Sequence, residues 1–295
     1  MPSSIAAERL AERAEFVIDT DIGSDVDDLL ALGVLLGSHD LIATGITTVY
    51  GDTGLRARLV SAVFAAAGAP LPVIAAGIEQ TRSGREVWWA GHEGSSIAGL
   101  DAFLFDEKRD AVEVLASSST VVPIGPLTNV AAALERPGCR IRTIAMMGGA
   151  FDARTEHNIR SDIDAAAVVF ASGVEIITVG IEQTERVRFC ESELADLPGP
   201  LGALLDSEVR RYWSFAAQSW NTPHDPIALI MLACPELFDF SRGTISVTQK
   251  AKDGVDAGRT QFREHGGAHR IVTDYDVEAV ACEISSRIRA ACGAR

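Results

Sequence analysis

Five aspartates lie within ten residues of one another, at the end of a short apolar segment that begins at Phe16. They are Asp19, Asp21, Asp25, Asp27 and Asp28. Ligands of open α/β sheets bind just beyond the carboxyl ends of the strands, so a cluster that follows a buried strand occupies a typical binding position. Five carboxylates there would repel one another, and nothing cationic lies nearby in the sequence. A divalent cation is the simplest compensation, and ligation by oxygen alone favours Ca²⁺ or Mg²⁺ over Zn²⁺.

Three other interpretations compete for this segment. A solvated acidic turn that caps a helix would also use aspartate, but an apolar strand that leads into five aspartates is a poor solvated loop. An EF-hand loop that starts at Asp19 would need glutamate at its twelfth position, where Leu30 stands. A Mg²⁺-dependent phosphatase of the haloacid dehalogenase type also begins with a strand and D-x-D. Such phosphatases normally carry Thr or Val two residues after the second Asp, where this chain has Gly23. The phosphatase remains the second candidate.

Polar groups also follow three further apolar segments and open a late helix. They are Asp52 in ITTVYGDT, the Ile124 carbonyl in VPIGPLTN, Glu156 and Asn158 after AMMGGAF, and the pair His224-Asp225. The turn at Gly125-Pro126 exposes the Ile124 carbonyl as a ligand for a hard cation. Each group alone has an ordinary role as a turn former, a loop residue or a helix cap. Their convergence on one edge of a sheet predicts a single site.

The elements that position these groups alternate regularly. Apolar, β-branched segments occupy residues 16–21, 41–49, 73–76, 120–125, 143–148 and 175–180, and helical patterns occupy 27–36, 55–67, 110–117, 127–134 and 163–171. Strands that are apolar throughout are buried on both faces. Strand and helix in succession predict an α/β fold, with an open, mainly parallel Rossmann-like sheet flanked by helices.

The pattern changes after about Phe189. We expect helices at 201–220, 224–234 and 277–291, and a hairpin that pairs 244–250 with 269–273. These elements predict a C-terminal helical and hairpin extension of the α/β core. A chain of 295 residues with 47% hydrophobic residues is expected to form one domain over 1–295.

Charge and composition exclude several classes of partner. The 26 basic and 41 acidic residues give a net charge of −15, which repels phosphate backbones and argues against a nucleic-acid polymer. No apolar run approaches the ~18 residues of a membrane span. Charged residues such as Glu8, Arg9 and Glu12 stand where a signal peptide would need an apolar core. The five cysteines show no C-x-x-C spacing, so we expect reduced thiols and a cytoplasmic location.

Six motifs, taken in order, are typical of a known protein family. DTDIGSDVDDLLAL, ITTVYGD, VPIGPLTNVA, MMGGAF, EHN and HDP occur in the order and approximate spacing of the inosine–uridine-preferring nucleoside hydrolases. The chain resembles this family from about Phe16 to its last helix, and the aspartate-rich opening is the specific motif. The resemblance implies calcium-dependent hydrolysis of the N-glycosidic bond of ribonucleosides.

The resemblance also implies a role for each matching residue. Asp21 would bind calcium and act as general base on the attacking water, and the other protein ligands would be Asp28, the Ile124 carbonyl and Asp225. The ribose hydroxyls would contact Asp27, Asp52, Glu156 and Asn158, and Met147 would lie against the sugar. His224 matches the position implicated in protonating the departing base.

Several features depart from the family's common pattern. Ile22 stands where the common pattern has proline. Two extra residues precede Asp27-Asp28, so two alignments are possible. Alignment by the following LLAL helix makes Asp27-Asp28 the functional pair, whereas alignment by the loop gives one of their roles to Asp25. Asp52 stands where many relatives have asparagine. The segment between Gly149 and Glu156 is short, which leaves the contacts to the 5′-hydroxyl open.

Three functions therefore remain at the level of sequence. The first is a ribonucleoside hydrolase that acts on a small-molecule substrate, the second is the phosphatase, and the third is a non-catalytic nucleoside- or sugar-binding protein. We expect a homodimer or homotetramer. Base contacts come from variable loops, so the preferred nucleobase is not fixed by these motifs. If His224 is not the acid that protonates the base, His92 in AGHEG is the next candidate.

Overall fold

The computed structural model describes residues 14–251 and 256–293. Most of the charged N-terminal residues that argue against a signal peptide therefore lie outside the described part of the chain. Six strands come from the first two thirds of the sequence: β1 (Ala14–Thr20), β2 (Leu41–Thr48), β3 (Val73–Ala76), β4 (Thr120–Pro123), β5 (Thr143–Met147) and β6 (Glu175–Val179). Three follow later: β7 (Phe238–Val247), β8 (Thr260–Glu264) and β9 (His269–Tyr275).

These strands form one mainly parallel sheet in the order β3-β2-β1-β4-β5-β6-β9-β7-β8. Strands β1 to β6 and β9 run parallel, and β7 is antiparallel to both of its neighbours. The strand order reverses direction between β1 and β4, which makes a crevice at their carboxyl ends. The six strands predicted for the α/β core and its fold class are confirmed.

Eleven α-helices of the described residues cover this sheet or follow its edges. They are α1 (Asp27–Leu36), α2 (Thr53–Ala67), α3 (Ala111–Ala116), α4 (Thr128–Leu134), α5 (His157–Ser161), α6 (Ile163–Ala171), α7 (Ile181–Thr184), α8 (Glu191–Leu194), α9 (Gly199–Ala216), α10 (His224–Ala233) and α11 (Val277–Ala291). None of them has the length and apolar character needed to cross a bilayer. Helix α9 ends four residues before its predicted end, because Ala217 adopts a left-handed conformation with φ of 53°.

The core lies in two layers, one on each face of the sheet. Side chains of β1 alternate between the layers, with Phe16 and Ile18 in the first and Val17 in the second. Helices α1, α2, α9, α10 and α11 cover the first layer, and α3, α4 and α6 cover the second. Burial on both faces explains why these strands are apolar throughout.

The predicted C-terminal hairpin is wrong in its pairing. The residues of β7 from Thr244 onward pair with β8, and β9 pairs with the first half of β7, where Gly243 lies opposite His269. Strand β7 is ten residues long, which gives it room for a different partner on each half. Strand β9 also pairs in parallel with β6, so the C-terminal strands continue the main sheet.

Candidate active site

A cavity of about 630 Å³ opens at the carboxyl ends of β1 and β4, where the strand order reverses. Nine of the ten site residues expected from sequence line it: Asp21, Asp27, Asp28, Ile124, Met147, Glu156, Asn158, His224 and Asp225. The cavity therefore brings together residues from the ends of three strands and the starts of three helices. Its volume is in the range of pockets that bind small molecules.

Four buried aspartates form the carboxylate cluster at the base of this cavity: Asp21, Asp27, Asp28 and Asp225. Asp27 and Asp28 lie in the first turn of α1, and Asp225 lies in the first turn of α10. One carboxylate oxygen from each of these three residues lies within 4.8 Å of the others. The partial positive charge at two helix N-termini favours carboxylates in this position.

Burial dominates the electrostatics of the carboxylate cluster. It raises the pKa of Asp27, Asp28 and Asp225 well above the usual range, and repulsion among neighbouring aspartates raises these pKa values further. Burial also raises the pKa of Asp21, although Arg56 opposes this effect. A divalent cation would reverse the balance by stabilising the ionised forms. The oxygen donors thus fit a metal ion on charge as well as chemistry.

A buried arginine lies close to the cluster, and sequence reasoning missed it. Arg56, in α2, is fully buried and donates hydrogen bonds to the carbonyl oxygens of Asp21, Ile22 and Tyr50. Its charge lowers the pKa of Asp21 and of Asp28 against the effect of burial. Arg56 lies about 30 residues from these aspartates in sequence, so no local spacing indicates the contact.

The turn after β4 approaches Asp21 closely. A Cβ atom at Gly125 would lie 2.6 Å from Oδ1 of Asp21, so only glycine allows this contact without displacement. The preceding carbonyl of Ile124 accepts a hydrogen bond of 3.0 Å from Nδ2 of Asn158. A carbonyl oxygen has a second lone pair, so this bond leaves one site on Ile124 for another ligand.

The start of α5 holds two further polar groups against the cavity. The Glu156 carboxylate accepts hydrogen bonds from the backbone N–H groups of Asn158 at 2.6 Å, Ile159 at 3.0 Å and Gly149 at 3.1 Å. It therefore caps α5 and is fixed in orientation. Nδ2 of Asn158 lies 3.9 Å from the Met147 sulfur, which places the end of β5 beside the same groups.

Asp52 does not reach the cavity, contrary to the expectation from sequence. Its side chain is exposed and caps α2 by accepting a 2.8 Å hydrogen bond from the N–H of Leu55. Tyr50 and Gly51 both have positive φ, 70° and 81°, and turn the chain sharply after β2. As a result Tyr50, which the sequence did not single out, lines the cavity instead.

His224, at the start of α10, lines the cavity beside the segment that follows β6. Its Nδ1 is 2.6 Å from the hydroxyl of Thr184 in α7. Burial lowers the pKa of His224 to about 4, so the imidazole is neutral at pH 7. The alternative candidate, His92, does not line the cavity; its Nε2 lies 3.0 Å from the Ser24 carbonyl and its ring packs on Phe215.

Asp25 lines the cavity but is already engaged by the protein. Its Oδ2 accepts a 2.6 Å hydrogen bond from the Tyr212 hydroxyl, and its Oδ1 accepts one of 2.5 Å from the N–H of Val26. Asp27, Asp28 and Asp225 instead form the tight group of carboxylates. This geometry favours the alignment that makes Asp27-Asp28 the functional pair.

Comparison with known proteins identifies the family. The sequence profile of the inosine-uridine preferring nucleoside hydrolases matches residues 16–281. The chain belongs to this family. This nucleoside hydrolase is 34% identical over 251 residues to the non-specific ribonucleoside hydrolase RihC of Klebsiella pneumoniae (strain 342), covering 77% of this chain and 81% of the relative. RihC of Escherichia coli O1:K1 / APEC is 32% identical over 250 residues, with the same coverage.

Solved structures agree with the fold of this nucleoside hydrolase. A plant nucleoside hydrolase superposes with a TM-score of 0.79 at 24% identity, covering 94% of this chain and 99% of the other. A purine-preferring ribonucleoside hydrolase from Gardnerella vaginalis gives 0.78 at 23% identity, with 95% and 99% covered. The family assignment confirms an enzyme and replaces the phosphatase and the non-catalytic binding protein as interpretations.

Protein stripped of divalent cations should lose stability as the pH rises from about 4 to about 7. The native state holds protons on its buried carboxyls more tightly than the unfolded chain does, so rising pH favours unfolding. Asp19 sets this pH range, because burial raises its pKa from 3.8 to about 7. Calorimetry should show a falling Tm over this range. An added divalent cation should raise Tm most at the upper end, where it replaces the protons.

Two variants separate the carboxylate cluster from the rest of the acidic surface. Asp225→Asn removes one buried carboxyl and should flatten the fall in Tm with pH. Asp101→Asn changes an exposed carboxyl outside the cavity and should keep the wild-type slope. A Tm that rises across the same window would contradict this account of the cluster.

Proposed function

We propose that this nucleoside hydrolase cleaves the N-glycosidic bond of ribonucleosides to free ribose and nucleobase, with Ca²⁺ bound at the carboxylate cluster. The observation that carries the proposal is the meeting of four buried carboxylates at the base of a nucleoside-sized cavity in a member of this family. The names of the RihC relatives support the reaction and the ribonucleoside substrate class.

Calcium fits the donor set better than other common cations. The proposed ligands are carboxylate oxygens of Asp21, Asp28 and Asp225 with the carbonyl oxygen of Ile124, and Asp27 lies in the same tight group. Oxygen donors alone favour a hard cation, and Ca²⁺ accepts irregular arrangements of carboxylates more readily than Mg²⁺ does. When bound, Ca²⁺ would orient the attacking water, lower its pKa and bind ribose hydroxyls.

Asp21 is the proposed general base. It follows β1 at the crevice, and the Gly125 turn restricts where its carboxylate can lie. Arg56 opposes the rise in its pKa, which favours the ionised form that can accept a proton from water. A carboxylate in this position can receive the proton as the water oxygen bonds to C1′ of the ribose.

Asp27, Glu156 and Asn158 are the proposed ribose contacts. All three are buried and line the same cavity as Asp21, and Glu156 is held by three backbone N–H groups. Carboxylates around the sugar also stabilise the positive charge that develops on the ring as the glycosidic bond breaks. Met147 provides an apolar contact beside them.

His224 is the proposed donor of a proton to the departing base. It lies in the cavity beside Asp225, and the Thr184 hydroxyl orients its ring. The imidazole is neutral at rest. To act as the acid, the ring must first take up a proton from solvent, and negative charge that develops on the departing base stabilises the resulting imidazolium. The imidazolium then passes this proton to the base nitrogen as the bond breaks and returns to its neutral form.

A panel of ribonucleosides assayed for free ribose tests the proposal directly. We expect ribose release from several purine and pyrimidine ribonucleosides, loss of release on chelation, and recovery with Ca²⁺. Deoxynucleosides should be poor substrates, because they lack the 2′-hydroxyl. Full activity after chelation, or recovery with Zn²⁺ alone, would contradict the calcium assignment. Absence of ribose release under all of these conditions would contradict the reaction.

Asp21→Asn should nearly abolish turnover, since the amide keeps the size of the side chain but cannot accept the water's proton. Calorimetric titration of Ca²⁺ should also show weaker binding. Asp101→Asn makes the same chemical change at an exposed position outside the cavity and serves as the control. Activity of Asp21→Asn within tenfold of wild type would exclude Asp21 as the base.

His224→Ala should affect substrates unequally. With inosine or uridine the base needs a proton to leave, so we expect a loss on the order of 10²–10⁴ in kcat. p-Nitrophenyl riboside departs as a stable phenolate and should lose little. Equal losses on both substrates would mean that His224 acts only by positioning Asp225 and Thr184, and would remove it as the acid.

A further inference from the structure

The loop between β1 and α1 is held in place by side chains from outside it. This β1–α1 loop comprises residues 21–26 and begins with Asp21, the proposed base. It forms turns and bends and contains no helix or strand. A Cβ atom at Gly23, whose φ is 123°, would lie 2.7 Å from the Leu59 side chain, so the loop packs closely against α2. The position of Asp21 therefore depends on contacts with other parts of the chain.

Arg56 joins the β1–α1 loop to the turn that follows β2. Its Nη1 donates hydrogen bonds to the carbonyl oxygens of Asp21 and Ile22, the second at 2.7 Å. Its Nε donates at 2.7 Å to the carbonyl oxygen of Tyr50. A planar guanidinium carries five N–H groups in a fixed fork and can bind both backbones at once. A lysine ammonium, with three donors on a flexible stem, cannot reproduce this geometry.

The Arg56 guanidinium is buried without a salt bridge. Arg56 is fully buried, and within residues 14–251 and 256–293 no carboxylate forms a salt bridge with it. The Trp89 ring covers it, with the guanidinium carbon 4.9 Å from the ring centroid. The carboxylate cluster offsets part of the charge through space. A residue that only filled space here would cost less if it were apolar, so the hydrogen bonds to the two turns explain the arginine.

A buried glutamate holds the same loop from another segment. Oε1 of Glu93 accepts a 2.7 Å hydrogen bond from the Ser24 hydroxyl, and Glu93 is 7% exposed. The backbone N–H groups of Ala90 and Gly91 donate to the same carboxylate at 2.7 and 2.8 Å. The turn that contains Glu93 therefore fixes its carboxylate, and this carboxylate fixes Ser24.

Ser24 connects the two charged residues. Its hydroxyl oxygen accepts a 3.4 Å hydrogen bond from Nη2 of Arg56, and its hydroxyl proton is donated to Glu93. A hydroxyl can accept one hydrogen bond while it donates another. Arg56, Ser24 and Glu93 thus form one network, which we call the loop network. It joins α2, the β1–α1 loop and residues 90–93.

We propose that Arg56 and Glu93 are positioning residues for the hydrolysis, which hold the β1–α1 loop so that the Asp21 carboxylate faces the attacking water. Neither residue lines the cavity, so both act through the loop and not by contact with substrate. Two proposed ribose contacts, Glu156 and Asn158, lie at the start of α5, which none of the hydrogen bonds of the loop network reaches. Loss of the network should therefore slow the chemical step more than it weakens substrate binding. This inference rests on the proposed role of Asp21.

The kinetics of Arg56→Lys test the proposal, measured at saturating Ca²⁺ so that loss of the metal does not limit the rate. Lysine keeps the charge but loses the fork. We expect kcat to fall by about tenfold or more with little change in KM, since a misplacement of about 1 Å can cost a factor of about 10². Inosine and p-nitrophenyl riboside should lose equally, because both need the water that Asp21 activates. The control is Arg58→Lys, the same change in α2 at an arginine that pairs with Glu107, and it should keep the wild-type kcat.

Glu93→Gln gives a second and milder variant, which keeps the size of the side chain and one acceptor oxygen. It should lower kcat less than Arg56→Lys does. The two effects on kcat should not be additive in the double variant, because both residues act on one loop. Arg58→Lys combined with Glu93→Gln should be additive. If Arg56→Lys does not fold, Ser24→Ala takes its place in the cycle, since it removes the hydroxyl that bridges the two charges.

Amide hydrogen exchange of the metal-free protein reports on the loop without any assay of activity. Exchange at residues 22–26 should be faster in the variants, and exchange at 158–161 should match wild type. Variants with a lower Tm but the wild-type kcat would overturn this inference alone, since the loop network would then only stabilise the fold. Additive effects in the cycle, or a loss confined to inosine, would also overturn it. Absence of ribose release by the wild-type protein would overturn the proposed function itself.

Discussion

Repulsion among carboxylates that share one buried cavity is the constraint around which the site is built. At 4.8 Å, two ionised carboxylates repel by about 3 kcal/mol at an effective dielectric constant of about 20. Three features of the structure reduce this cost. The helix N-termini of α1 and α10 face the cluster, and Arg56 donates to the Asp21 carbonyl. Burial also raises the pKa of the carboxyls, which favours their neutral forms when no cation is bound. These features matter because the four carboxylates are buried, where water screens charge weakly.

Hydrogen bonds in the sheet beside the cavity hold the end of β1 in place. Asp19 is fully buried two residues before Asp21; its Oδ1 accepts hydrogen bonds from the Thr47 hydroxyl at 2.6 Å and from Nδ2 of Asn129 at 2.8 Å. Asn129 also donates to the Thr48 carbonyl and accepts from the N–H of Ile78. One amide thus joins the ends of β1 and β2 to the segment after β3. These bonds fix the strand end from which Asp21 projects.

Sequence patterns predicted the parts of this protein that depend on neighbouring residues. The apolar strands and the cluster around Asp28 follow from local composition, because a strand buried on both faces cannot be polar until it ends. Arg56 was missed because its contacts depend on how α2 packs beside the turns that follow β1 and β2. Asp52 was expected at the site because it follows a strand, and the family resemblance implied its contact with the ribose, yet the left-handed turn at Tyr50 directs it to solvent. Spacing cannot show the sense of such a turn.

The carboxylate cluster joins parts of the chain that lie about 200 residues apart, since Asp27 and Asp28 belong to the first helix and Asp225 to the tenth. Contacts between residues so far apart in sequence carry a high loop-closure cost, so the site is complete only when these distant segments meet. A cation held by all three carboxylates would bind the native fold and not the unfolded chain, and it would stabilise the native state by mass action. Such a cation would also slow unfolding. The lifetime of the folded protein would then depend on the supply of the ion.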